Sequence, residues 1–223
     1  MGKRITVKLP DGHALGAYLA EPGGKPRAGI IVVQEIFGIT PHIRAVTDRF
    51  ARLGYTALAP AFFDYVAPDT ELAYNRGGTS RGRGLAAKVG MERATAATAA
   101  AAQALATSGK VGVVGFCWGG TVALLAAQQL GLPAVSYYGA RNTGYFEQPL
   151  KAPVIFHFGD SDPSIPADAI QRHRVAWPDA PVYVYPRCGH AFNRDADKNA
   201  YNAAAAKLAW ERTTVFFARE LAG

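Results

Sequence analysis

VGVVGFCWGG, residues 111–120, passes from a strand pattern to a helix pattern within a single turn. The β-branched run ends in Gly115-Phe116-Cys117-Trp118-Gly119, a G-x-C-x-G, and a helix-like segment follows. That spacing predicts a sharp strand-to-helix elbow with Cys117 at its apex. Residues two before and two after the apex must lack side chains, so that strand and helix can pass closely. The N-terminus of the following helix favours negative charge at Cys117. Two plainer readings compete. A cysteine at a strand end is often a small buried hydrophobe. A glycine-rich turn can also cradle phosphates, but this one lacks both GxGxxG and GxxxxGK[ST].

Outward from the elbow, strand-like and helix-like segments alternate. Residues 29–33 (GIIVV) form a short strand pattern, and Thr40-Pro41 offers an N-cap with proline at the first helical position. Further strands are expected near 55–59, 134–138, 153–158 and 181–185, with helices near 85–107, 118–130, 166–176 and 199–221. Residues 4–9 and 13–20 flank Asp11-Gly12 as a hairpin. Residues 60–84 hold Pro60, Pro68, Gly77, Gly78, Gly82 and Gly84 with no clean period, which predicts a long functional loop. A hairpin followed by repeated βα units implies an α/β fold with one mostly parallel sheet and helices on both faces. Residues 1–223 are expected to form one domain.

The elbow needs a base and an acid, and chain order supplies candidates. An orienting acid should follow a later strand, and the stretch FHFGDSDPSIP (156–166) places Asp160 and Asp162 there. Asp160, next to Gly159, suits a turn, so Asp162 is the preferred acid. Of five histidines only His190, in YPRCGHAF (185–192), sits on a loop past the last strand. His13, His42, His157 and His173 read as surface or packing residues. A cysteine backed by imidazole and carboxylate suits acyl transfer. The oxyanion donors would be the backbone N–H groups of Trp118, after the nucleophile, and of Ile36, after the 29–33 strand.

Composition narrows the classes. The formal net charge is +7, but the basic residues are scattered apart from Arg76, Arg81 and Arg83, and no nucleic-acid motif is present. A small anionic substrate fits better than nucleic acid. Cys117 and Cys188 are too few for a disulfide scaffold, and no cluster has metal-ligand spacing. The first residues lack a signal-peptide pattern, and no apolar stretch is long enough to cross a membrane. The expectation is a cytoplasmic protein working without cofactor, metal, nucleic acid or membrane.

Gln34-Glu35-Ile36-Phe37-Gly38, the Gly115–Gly119 elbow, Gly159–Asp162 and Gly189-His190-Ala191-Phe192 together resemble the dienelactone hydrolase family of α/β-hydrolases. The likeness runs in order from about residue 4 to 220. It implies a cofactor-independent enzyme that opens dienelactone to maleylacetate in chloroaromatic degradation, with Cys117, His190 and Asp162 as the triad; a monomer is expected. It further implies that Glu35 contacts the resting nucleophile and takes its proton, and that Arg194 binds a substrate carboxylate. Arg83 matches a second such arginine, with Arg81 nearly as good a match. Guanidinium forks suit that task. Three features depart from the family: Ala87 where a tyrosine is usual, the Gly- and Arg-rich segment 79–84, and the bulky Trp118 after the cysteine. Hydrolysis of another small ester or thioester, or a silent binding module on the same fold, are the alternatives.

Overall fold

The computed structural model describes residues 2–222. Its regular elements, in chain order, are β1 (Lys3–Lys8), β2 (Ala14–Ala20), β3 (Gly29–Val33), α1 (Pro41–Arg52), β4 (Thr56–Pro60), α2 (Arg76–Ala104), β5 (Val111–Phe116), α3 (Trp118–Leu125), β6 (Ala134–Tyr137), β7 (Val154–Gly159), α4 (Ala167–Ala176), β8 (Val182–Tyr185) and α5 (Ala203–Glu220). Eight strands form one sheet in the order β1-β2-β4-β3-β5-β6-β7-β8. The β1/β2 and β2/β4 pairs are antiparallel, whereas β3/β4, β6/β7 and β7/β8 are parallel. Contacts gather in two compact units, one up to Val113 joined by the last residues from Leu221, and one from Val114 to Glu220.

In the first unit β3 and β4 are buried along their whole length, as expected of parallel strands covered on both faces. Thr40 caps α1, its Oγ1 accepting from the N–H of Ile43, and Pro41 opens the helix at no cost in hydrogen bonds. Ile43, Val46 and Phe50 supply its buried stripe.

The loop expected over 60–84 is mostly absent. Residues 62–65 make a 3-10 turn and α2 begins at Arg76, capped by Asn75, whose Oδ1 accepts from Gly78 N–H at 2.8 Å. A helix through Gly77, Gly78, Gly82 and Gly84 runs against intrinsic preference, at roughly 1 kcal/mol per glycine. Packing overrides it. Leu85, Ala86 and Val89 are buried, and a Cβ on Gly82 would fall onto the carbonyl oxygen of Ile36. Only a glycine lets the helix backbone lie that close to the β3–α1 loop. The helix breaks at Gly90, where φ is 75° and ψ 170°.

In the second unit every residue of α3 is buried, and the helix continues into a π-turn over 126–130, closed by Gly131 in the left-handed conformation. β7 is buried throughout. The rings of Phe156, Phe158, Phe146 and Trp177 enclose His173, at centroid distances from 4.7 to 6.0 Å. The last helix starts at Ala203, four residues later than expected, because 193–202 fold into successive turns around Asp197. Among the described residues no helix is long and apolar enough to cross a membrane.

Candidate active site

Cys117 lies between β5 and α3 at φ 56° and ψ −116°. A non-glycine residue there costs on the order of 1–3 kcal/mol and needs surroundings that enforce it. They do so through the backbone: the Cys117 N–H donates to Tyr137 O at 3.0 Å, and its carbonyl accepts from Gly120 N–H at 3.0 Å. The glycine before the apex has a direct cause: a Cβ on Gly115 would land on the Gly119 carbonyl. Just past the motif, one on Gly120 would strike the Tyr137 carbonyl. Cys117 is half-buried and its thiol is free of any disulfide. Trp118 is the first residue of α3, in the helix turn whose backbone N–H groups point out of the N-terminus.

The chain leaves β7 at Gly159 and turns through two aspartates with different tasks. Asp160 is exposed and staples two loops, accepting from Ser161 Oγ at 2.8 Å and from Arg187 N–H at 2.7 Å. Asp162 is buried; its Oδ1 accepts from Ser164 N–H at 2.8 Å and its Oδ2 lies 2.7 Å from His190 Nδ1. Burial alone would lower the pKa of His190. Hydrogen bonds to Asp162 and Cys117, and the charges on both, outweigh it and raise the value to about 10. The imidazole therefore holds its proton at neutral pH. The ring of Tyr138 lies against it at 5.1 Å.

The other titratable groups of this unit have different surroundings. His157 is fully buried, with Nδ1 2.8 Å from Tyr185 Oη and Nε2 3.2 Å from Thr213 Oγ1, and burial pushes its pKa down to about 3. His173 donates through Nδ1 to Ala169 O at 2.7 Å, and burial lowers its pKa to about 4. Cys188 is buried beside the Pro186 carbonyl, and burial pushes its thiol up.

Arg194 is 9% exposed, and its Nη2 donates to Asp197 Oδ2 at 2.8 Å. Burial works against the charge on Asp197, but the bonds from Arg194 and Asn199 N–H hold its carboxyl below the ordinary carboxylate range. In the first unit Glu35 is buried, and the Gln34 amide fastens its strand exit by donating to Glu35 O at 3.2 Å and accepting from Phe62 N–H at 3.1 Å. Ile36 is half-buried. Arg81 and Arg83 are exposed on α2, and Arg83 lines an open cleft with Arg76, Thr79 and Ser80.

Cys117, Asp162 and His190 thus meet within the second unit, with Arg194 four residues beyond the histidine. Tyr137, Tyr138 and Asp197 also contribute to this constellation, although no motif marked them. Tyr137 acts through its carbonyl, which carries no side-chain signature. Tyr138 sits at φ 39°, a conformation that nothing in a tyrosine advertises.

Residues 15–221 match the model of the dienelactone hydrolase family. A carboxymethylenebutenolidase of Pseudomonas putida is 33% identical, over 96% of this chain and 95% of its own. A Klebsiella pneumoniae protein assigned to the dienelactone hydrolases superposes with a TM-score of 0.85 at 30% identity, covering 98% of each chain. A dienelactone hydrolase-like promiscuous phosphotriesterase from metagenomic libraries shares the fold, with a TM-score of 0.78 at 23% identity. The chain belongs to the dienelactone hydrolase family and is a hydrolase of carboxylic esters or lactones.

Proposed function

We propose that this hydrolase opens a small anionic lactone or ester, of the dienelactone type, through a thioester on Cys117. The observation that carries the reading is the 2.7 Å contact of Asp162 with His190 Nδ1, on a histidine also hydrogen-bonded to Cys117. Cys117 sulfur attacks the carbonyl carbon, and the electron pair moves to the carbonyl oxygen. That oxyanion is received by the backbone N–H groups of Trp118 and Ile36. Collapse of the adduct breaks the C–O bond, and protonated His190 hands its proton to the departing oxygen. Neutral His190 then takes a proton from water, which attacks the thioester and releases the acid with the Cys117 thiolate. Asp162 fixes the imidazole orientation and supports its positive charge throughout. Glu35 would take the proton from any Cys117 still in its thiol form, onto its own carboxylate, leaving the thiolate that attacks, and Arg194, with Arg83 or Arg81, would hold the substrate carboxylate.

Iodoacetamide tests the nucleophile. Cys117 should alkylate far faster than the buried Cys188, with hydrolysis lost in proportion to modification of Cys117, as followed by peptide mass spectrometry. Full activity after Cys117 is blocked would exclude the thioester route.

A further inference from the structure

Arg194 does not wait bare for a substrate carboxylate. We infer that Asp197 is a specificity-determining residue: it occupies the Arg194 guanidinium in the resting protein, and an anionic substrate must compete with it. The inference rests on the reading of Arg194 as the carboxylate-binding residue.

Three observations support it. The Arg194–Asp197 pair is close, at 2.8 Å, and its side chains are only 11% and 19% exposed, unlike a loose surface ion pair. Nη2 contributes an N–H to each of the two forked edges that a carboxylate can use, so Asp197 accepts a hydrogen bond on one of them. The carboxylate is also held from behind. Asp197 Oδ1 accepts from Asn199 N–H at 3.1 Å, while its carbonyl accepts from Ala200 N–H and Tyr201 N–H at 3.1 and 2.9 Å. Backbone turns thus hold Asp197 at the arginine, and no loop has to close to bring it there. Finally, Asp197 and His190 both line an open cleft of about 320 Å³, together with Tyr201 and Asn202. An acid moiety entering that cleft beside the base therefore meets the negative charge of Asp197, which stands between it and the paired Arg194 guanidinium. The pair sets a threshold. Neutral esters do not feel it, whereas anionic ones must displace or tolerate Asp197.

The test compares a matched pair of substrates, the mono-p-nitrophenyl ester of glutaric acid and its neutral methyl ester, at low ionic strength. The readout is the ratio of kcat/KM, anionic over neutral. Asp197→Asn removes the charge and keeps the size, so the ratio should rise about tenfold, the order expected for removal of one close like charge. Asp197→Ser should act in the same direction. Arg194→Ala should lower the ratio. If Arg194→Ala lowers it while both Asp197 variants stay within twofold of the wild type, Asp197 has no part in selectivity; the inference fails and the reading of Arg194 stands. If Arg194→Ala leaves the ratio unchanged, the reading of Arg194 fails and takes the inference with it. Loss of folded protein in both Asp197 variants, judged by circular dichroism, would assign the pair to the fold alone and overturn the proposal.

Discussion

Cys117 is held in a backbone conformation against preference and His190 is held by Asp162, and the chemistry at each residue follows from what holds it. The imidazole is the more informative of the two. With its pKa raised to about 10, it keeps its proton over the neutral range, and in the proposed mechanism that is the proton given to the leaving group. Hydrolysis of a lactone should therefore stay level from neutral pH upward and fall on the alkaline side near pH 10, as the imidazolium is lost. Asp162→Asn removes one of the contributions that raise the value, so the alkaline midpoint of kcat/KM should move to lower pH; an unmoved midpoint would mean that Asp162 does not govern the proton. At this scale the sequence was legible where a motif demands a residue type. Cys117 needed its glycines, and Asp162 stood apart from Asp160 because a turn residue beside Gly159 had its own task. Tyr138 and Asp197 were not legible, since ring packing against His190 and a salt bridge three residues from Arg194 leave no pattern of residue types.

Among the elements, α2 shows how packing can reverse a local preference. Gly77, Gly78, Gly82 and Gly84 read as loop because each is a poor helix former, yet residues 76–89 are helical. The missing information was tertiary: the carbonyl of Ile36 occupies the space of a side chain at Gly82. This makes a sharp prediction. Gly82→Ala improves helix propensity by roughly 1 kcal/mol, so a propensity argument expects a more stable protein. The contact argument expects the reverse, with the β3–α1 loop pushed aside, kcat lowered about 10-fold or more and the thermal midpoint unimproved. Thermal unfolding and steady-state rates on this one variant decide between them. The strands and α1, by contrast, were readable to within a residue or two, because GIIVV and Thr40-Pro41 carry period and cap in the residues themselves.

For the molecule as a whole, three histidines contribute to the pH dependence of stability, with opposite signs. His190 is raised above its ordinary value, so its contribution is complete below about pH 6.5 and fades as pH climbs toward about 10. His157 and His173 are lowered to about 3 and about 4, so between those values and 6.5 the unfolded chain binds protons that the folded one refuses. Stability should therefore fall as pH drops from 6.5 to 4, by on the order of 3 kcal/mol for each histidine. His173→Phe keeps the aromatic box filled and should shrink the drop in thermal midpoint between pH 7 and pH 4.5; an equal drop would clear His173 of responsibility. The box around His173 then has a practical consequence for handling and assay. The acid limit lies in the core and the alkaline limit at His190, the base of the proposed mechanism, so the two failures should differ in kind. Above pH 9 the loss should be graded and recover as soon as the sample is returned to neutral buffer. Below pH 5 it should be all-or-none, dependent on time of exposure, and recovered only at the pace of refolding.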